Sequence, residues 1–273
     1  MRAPLKLAAI AALCGLASAA TAKLAVPAPA PRLPAPVVAA PVAATPAPLA
    51  MTTPPASATA SLVDALQRQA PTLDPQVLSL ATEALQCARR HQQVRPDAVL
   101  GVIDYSRPST ERRLWVFDLA RQRLLFQEWV AHGRNSGDNL TARFSNSDGS
   151  NMSSLGAFTA QETYTGHNGY SLRLQGLEPG FNDRARDRAI VIHGAPYVSE
   201  AIIHSQGRLG RSLGCPAVRP AIARQLIDTL RDGSFVFAYY PDKQWLRQSR
   251  LLSTDCGGSQ LAQATASTAM ARR

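Results

Sequence analysis

The chain has 273 residues, a formal net charge of +10 and a hydrophobic content of 45%. Beyond the first residues, no stretch has the roughly 20 consecutive apolar residues that a transmembrane helix needs. The basic charge is spread over scattered arginines, with no basic run and no aromatic stacking motif beside it. This pattern argues against a nucleic-acid partner and favours an anionic partner of another kind.

Residues 1–22 predict an export signal. Arg2 and Lys6 give a positive start, residues 7–16 form a short apolar core, and small residues suited to cleavage follow. One alternative is an uncleaved membrane anchor, for which the apolar core is short. Another is a lipoprotein through Cys14, although Leu13 is a poor match to a lipobox. We expect cleavage, a periplasmic or cell-envelope location, no membrane span after signal removal, and an anionic envelope polymer as partner.

Two segments of different composition follow the signal. Residues 23–57 are dominated by Ala and Pro, which predicts an extended linker. Residues 58–97 predict a helical segment, because Asp74 and Pro75 are typical of a helix start and apolar residues recur at helical spacing. Those apolar residues are Leu62, Val63, Leu66, Val77, Leu78, Leu80, Ala81, Ala84, Leu85 and Ala88.

Residues 98–242 predict a mainly β domain. Segments rich in β-branched, aromatic and leucine residues predict strands at 99–105, 114–119, 124–131, 156–163, 171–174, 189–193 and 234–240. The second and third are close enough in sequence to form a hairpin. A helix is predicted at Pro220–Leu230, where it begins with a proline and is stopped by Asp232 and Gly233. Residues 243–273 lose periodicity and are predicted to be a disordered tail, apart from whatever Cys256 holds.

Signal removal would leave three cysteines, Cys87, Cys215 and Cys256. An odd number in an oxidising compartment leaves one thiol free or pairs it between molecules. If Cys215 must stay reduced to act, Cys87 and Cys256 are the natural disulfide pair.

Cys215 is the candidate nucleophile. Gly214 before it and Pro216 after it predict a sharp bend that exposes a side chain and frees backbone N–H groups, which could stabilise an oxyanion. Arg211 and Arg219 would favour the reactive thiolate. The alternative is a buried, inert cysteine.

His193 is the candidate general base. It ends the apolar run 189–192 and precedes Gly194, which lets the chain turn away. The alternative is a structural histidine. His132, His167 and His204 lie in other polar segments, but their spacings match no zinc signature, so we expect no metal.

These residues resemble the active-site signature of the L,D-transpeptidases (YkuD type), envelope enzymes that remodel peptidoglycan. Ile192-His193-Gly194 and Ser212-Leu213-Gly214-Cys215 carry the resemblance. Further blocks similar to the murein L,D-transpeptidase subgroup lie at 130–137, 145–147, 154–156, 177–182 and 207–212. The resemblance covers about residues 98–240. It implies a β-sandwich or barrel with a few flanking helices.

The resemblance also implies roles for individual residues. Cys215 would be the nucleophile, His193 its base and Ser212 the polar residue of the cysteine motif, and the N–H groups of Gly214 and Cys215 would form the oxyanion hole. The sequence departs from the commoner signature at Leu213, where histidine is usual, and at Arg219, which lies further from the cysteine. The contacts expected for the substrate are His132 and three arginines, Arg134, Arg208 and Arg211, since guanidinium groups bind carboxylates in a bidentate way. The alternative for at least one of these arginines is a surface residue that only keeps the protein soluble.

The sequence thus predicts an exported cysteine enzyme acting on peptidoglycan stem peptides, an L,D-transpeptidase or L,D-carboxypeptidase that needs no cofactor. An envelope cysteine endopeptidase and a non-catalytic peptidoglycan-binding domain are the alternatives. The acceptor, the third catalytic partner and the oligomeric state stay open.

Overall fold

A computed structural model describes residues 56–256 of the chain. The predicted signal at 1–22, nearly all of the predicted linker at 23–57, and residues 257–273 lie outside the described residues. Within 56–256, no helix has the length and apolar character that crossing a bilayer requires.

One eight-stranded sheet organises the domain. Its strands are β1 (Leu100–Asp104), β2 (Leu114–Asp118), β3 (Arg123–Glu128), β4 (Gly156–Gly166), β5 (Gly169–Gly176), β6 (Val191–Gly194), β7 (Ala217–Val218) and β8 (Phe235–Tyr239). They lie in the order β3-β2-β1-β8-β4-β5-β6-β7. The β1–β8 and β6–β7 pairs are parallel, and the other pairs are antiparallel.

The sheet curls into a nearly closed barrel. Ala131, just after β3, forms an antiparallel bridge with Ala217 in β7, which links the two ends of the strand order. The prediction of a mainly β barrel with few helices is therefore confirmed. The hairpin expected between the second and third strands is also present as the β2–β3 pair.

The alternation of side chains along the strands separates two cores. In β8, Phe235 and Phe237 belong to an outer cluster, while Val236 and Ala238 belong to an inner one. Successive strand residues point to opposite faces of a sheet, so both faces of β8 are buried. The helix α4 (Pro220–Leu230), at the bounds that the sequence predicts, packs Leu226 and Leu230 into the inner cluster.

The predicted helical segment consists of α1 (Ala56–Gln69) and α2 (Pro75–Arg90). Asp74 caps α2 by accepting a hydrogen bond from the Gln76 N–H at 2.7 Å, and Pro75 occupies the first turn, where no N–H is needed. The apolar stripe of these helices covers the outer face of the sheet together with Phe235 and Phe237.

Residues 243–256 correct the prediction of a disordered tail. Helix α5 (Lys243–Gln248) follows β8, and its Trp245 is fully buried in the outer cluster. The indole N–H of Trp245 donates to Glu178 at 2.9 Å, so a buried carboxyl holds the helix in place. The sequence pattern missed this because one large aromatic side chain, rather than a periodic stripe, carries the packing.

Cys87 in α2 and Cys256 are joined by a disulfide, as the odd cysteine count suggested. This bond ties the end of the described chain to the helical layer, and Cys215 remains the free cysteine among the described residues. His91 lies beside the pair. Because both sulfur atoms are bonded to each other, neither is a thiolate available to a metal ion.

Candidate active site

Cys215 lies at the end of the 212–215 turn, just before β7. The Ser212 hydroxyl closes this turn, since it donates to the Cys215 carbonyl at 2.6 Å and accepts from the Gly214 N–H at 3.1 Å. Ser212 thus lies in the cysteine motif as predicted, and its hydroxyl holds the shape of the turn. The Gly214 N–H that was expected in the oxyanion hole is engaged in the same contact.

Three segments meet at Gly214, whose φ of +129° few residues other than glycine adopt. A Cβ added there would lie 2.8 Å from the Met152 carbonyl oxygen. The Ser153 hydroxyl donates to the Gly214 carbonyl at 3.1 Å and accepts from the Gly133 N–H at 3.0 Å. The sequence analysis did not identify Ser153, although it lies next to the motif block at 154–156.

The Cys215 thiol lies against the start of β6. The Val191 N–H donates to its Sγ at 3.4 Å, and the thiol itself donates to the Ala189 carbonyl at 3.6 Å. Only 8% of Cys215 is exposed, so the prediction that the bend exposes its side chain is wrong. Burial raises the pKa of the thiol, whereas the Val191 N–H and the charge of Arg188 act in the opposite direction. The resting thiol is therefore protonated and needs a base.

His193 lies in β6, two residues after Val191, whose N–H binds the Cys215 thiol. The parallel register sets His193 beside Ala217, two residues after Cys215. Cys215 lies just before β7, so the nucleophile and the histidine belong to neighbouring segments. Among the described residues, no hydrogen bond joins the two side chains.

The protonation of His193 follows from its backbone contact. Its Nδ1 lies 3.0 Å from the Gly194 carbonyl oxygen, which only accepts hydrogen bonds. Nδ1 therefore carries a proton, and the neutral ring has its lone pair on Nε2. Burial lowers the pKa of His193, so the ring is neutral at pH 7 and able to act as a base.

His132 lies behind the site. Its side chain is fully buried, so the structure does not place it where a substrate could contact it, contrary to expectation. Arg113 donates to its Nδ1 at 2.7 Å, and its Nε2 lies 3.3 Å from the Gly137 carbonyl oxygen. Because an arginine only donates, the ring is neutral with its proton on Nε2. Burial, followed by the Arg113 charge, lowers the pKa of His132 to about 4.

The predicted substrate arginines have different surroundings. Arg134 is exposed beside the cysteine turn, and its backbone N–H donates to the Ser212 carbonyl at 2.8 Å. Arg208 is half-buried and donates to the Leu209 carbonyl. Arg211 pairs with Asp138 at 2.8 Å and also donates to the Arg134 and Gly137 carbonyls. Arg134 is thus the one of the three that is both exposed and bound beside the turn.

The arginines expected to favour the thiolate are paired with carboxylates. Arg211 binds Asp138, and Arg219 donates to both oxygens of Glu128, with its Nε 2.9 Å from Oε2. The arginine that acts electrostatically on Cys215 is Arg188, which the sequence analysis did not identify. Its position directly before the predicted strand at 189–193 was the available signal.

Comparison with solved structures finds several distant likenesses. An L,D-transpeptidase from Mycobacterium smegmatis is 16% identical with a TM-score of 0.34, over 52% of this chain and 59% of its own. One from Stackebrandtia nassauensis is 15% identical with a TM-score of 0.33, over 67% and 77%. The helical cell shape determining protein Pgp2 from Campylobacter jejuni is 15% identical with a TM-score of 0.33, over 52% and 47%.

This chain therefore spans 59% of the length of the M. smegmatis protein and 47% of that of Pgp2. No curated protein matches it. The family described as the L,D-transpeptidase catalytic domain matches residues 69–239, from the end of α1 through the last strand of the sheet. The match includes both the cysteine turn and the β6 histidine. The chain belongs to the L,D-transpeptidase catalytic domain family.

Proposed function

We propose that this protein is an exported cysteine enzyme that remodels peptidoglycan stem peptides, as an L,D-transpeptidase or L,D-carboxypeptidase. The observation that supports the proposal is the β6–β7 register, which pairs His193, whose Nε2 is unprotonated, with Ala217, two residues after the free Cys215. A buried thiol beside a neutral imidazole is the pairing that nucleophilic cysteine catalysis needs.

The reaction begins with a proton transfer. His193 Nε2 takes the Cys215 thiol proton, and the thiolate attacks the carbonyl carbon of the L-residue in an L–D peptide bond. The C–N bond then breaks, and the departing amine of the D-residue takes the proton from His193. The product is a thioester between Cys215 and the shortened stem peptide.

The second half of the reaction regenerates the thiol. His193 removes a proton from an acceptor amine or from water, which attacks the thioester carbonyl and expels the thiolate, and the thiolate then takes that proton from His193. An amine forms a crosslink, and water releases a trimmed stem peptide. Because the Gly214 N–H is held by Ser212, we assign the oxyanion contact to the Cys215 N–H. No metal or organic cofactor enters these steps.

The exposed Arg134 is the proposed contact for a substrate carboxylate, because its backbone N–H binds the turn that carries the nucleophile and its side chain is open to solvent. Arg208 and Arg211 are proposed to shape the loops around it, since both donate to backbone carbonyls.

Mass spectrometry of the products tests the proposal. Purified protein is incubated with tetrapeptide-bearing muropeptides, with and without an acceptor stem, and compared with a Cys215→Ser variant. Wild-type protein should yield crosslinked or tripeptide products and a single carbapenem adduct by intact mass, and the variant should yield none of these. Cleavage within existing crosslinks without transfer would indicate an endopeptidase. No adduct and no turnover on any muropeptide would favour a binding domain and overturn the proposal.

A further inference from the structure

Arg188 binds the segment that packs against the cysteine turn. Its guanidinium donates to the Ser145 carbonyl and the Ser154 hydroxyl at 2.5 Å each, to the Met152 carbonyl at 2.8 Å and to the Ser150 hydroxyl at 3.1 Å. These four acceptors all lie between residues 145 and 154. One half-buried side chain thus ties together a loop that contains few regular backbone hydrogen bonds of its own.

The 145–154 loop, which Arg188 binds, packs against the 212–215 turn that carries the nucleophile. The Met152 carbonyl, which accepts from Arg188, is the group that a Cβ on Gly214 would meet at 2.8 Å. The next residue, Ser153, donates to the Gly214 carbonyl. A shift of this loop would therefore move the residue that precedes Cys215.

Arg188 also keeps its positive charge close to the thiol. All four of its hydrogen-bond acceptors are neutral, so within residues 56–256 no hydrogen-bonded carboxylate cancels the charge. Asp148 acts on it at longer range and is exposed. The next residue, Ala189, accepts the hydrogen bond of the Cys215 thiol, which places Arg188 one peptide unit from that contact.

We propose that Arg188 is a positioning residue of the proposed reaction, which holds the 145–154 loop against the cysteine turn and stabilises the Cys215 thiolate with its charge. The inference rests on the proposed function for its role in catalysis. The thiol chemistry can be tested without any peptide substrate.

Other groups face Cys215 and enter the interpretation of its titration. Tyr105 in the inner core and Tyr197 after β6 both interact electrostatically with it, and burial raises the pKa of each phenol to about 12. His193 lies in β6, which pairs with the strand that follows Cys215. Since both phenols are neutral at pH 7 and His193 is present in every variant, a change caused by Arg188 is separable from these groups.

The test is the pH dependence of Cys215 alkylation by iodoacetamide, in wild type and in Arg188→Met, Arg188→Lys and Arg184→Met. Arg188→Met should raise the pH midpoint by about one unit, a tenfold slower alkylation at pH 7, because a nearby positive charge is lost. Arg188→Lys should stay within about threefold of wild type, since it keeps the charge. Arg184 is exposed four residues before Arg188 in the segment that precedes β6, and its variant should match wild type.

Hydrogen exchange measures the second part of the proposal. Peptides from 145–154 should exchange faster in both Arg188 variants, since neither methionine nor lysine reproduces the forked set of donors. An Arg188→Met protein that folds and keeps the wild-type alkylation profile overturns the electrostatic role of Arg188. Unchanged hydrogen exchange in the 145–154 peptides overturns its role in holding that loop. If Arg188→Met does not fold, Arg188→Lys provides the test. A tenfold slower alkylation of Arg188→Lys at pH 7 would refute the effect of the Arg188 charge. A near-normal alkylation rate together with faster hydrogen exchange would support both the charge effect and the role of Arg188 in holding the loop. Normal alkylation in a wild-type protein without turnover would count against the proposed function alone.

Discussion

Substitution of Gly214 by alanine should disturb the cysteine turn more than its one added methyl group suggests. The residue has a φ of +129°, a conformation that costs a non-glycine residue about 1–3 kcal/mol. The new Cβ would also lie 2.8 Å from the Met152 carbonyl oxygen and 3.0 Å from Ile190 Cδ1, so one of these groups must move. We expect a loss of about 3 kcal/mol in the free energy of unfolding, since the nearest neighbour is a backbone carbonyl oxygen that cannot move without its loop.

Thermal unfolding and turnover on muropeptides check this expectation. At roughly 2–4 °C per kcal/mol for a domain of this size, the Gly214→Ala melting temperature should fall by about 6–12 °C. Turnover should fall on the order of a hundredfold, because the turn that carries the thiol is displaced.

Gly149→Ala is the matched control in the same region. Its φ is +66° and no heavy atom lies within 4 Å of the added Cβ, so only the left-handed conformation costs, at about 1 kcal/mol. A Gly214→Ala protein that melts as high as the control, with wild-type turnover, would refute the reasoning about close packing at the turn.

Three further outcomes are expected. His193→Ala should lower kcat/KM by about 10²–10⁴ with little change in melting temperature, and a variant with near-normal kinetics would remove His193 as the base. Cys87→Ser should lower the free energy of unfolding by up to about 5 kcal/mol, since the bond closes a loop of 169 residues; the same melting curve with and without reductant would contradict this. The pKa of His132 is about 4 in the folded protein and 6.5 in the unfolded chain, so the unfolded state binds more protons between these two values. The free energy of unfolding should therefore fall as the pH drops from 6.5 to 4, by up to about 3 kcal/mol. Burial raises the pKa of Asp104 and of Glu178, so protonation of these two carboxyls makes the folded state more stable as the pH drops, opposite to His132. The measurement is therefore the difference in the free energy of unfolding between wild type and His132→Gln as a function of pH. Parallel pH profiles of the two proteins would contradict the prediction.

Much of the fold could be predicted from the sequence. The seven predicted strands all appear, with shifted ends, and the helix Pro220–Leu230 is present at its predicted bounds. These elements have strong local signals, because runs of β-branched, aromatic and leucine residues and a proline at a helix start act over a few residues. The two-residue strand β7 and the seven-residue helix α3 (Glu200–Gln206) are too short to produce such a pattern, and the sequence analysis missed both.

The sequence by itself determined which residues are candidates for the chemistry: a cysteine between glycine and proline, and a histidine at the end of an apolar run. The tertiary structure decided how their neighbours are used. It paired Arg211 and Arg219 with carboxylates, buried His132 against Arg113, and brought the charge of Arg188 within electrostatic range of the thiol. Residue type and local spacing predict what a side chain can do, but the charge and burial around it depend on segments distant in sequence that only folding brings together.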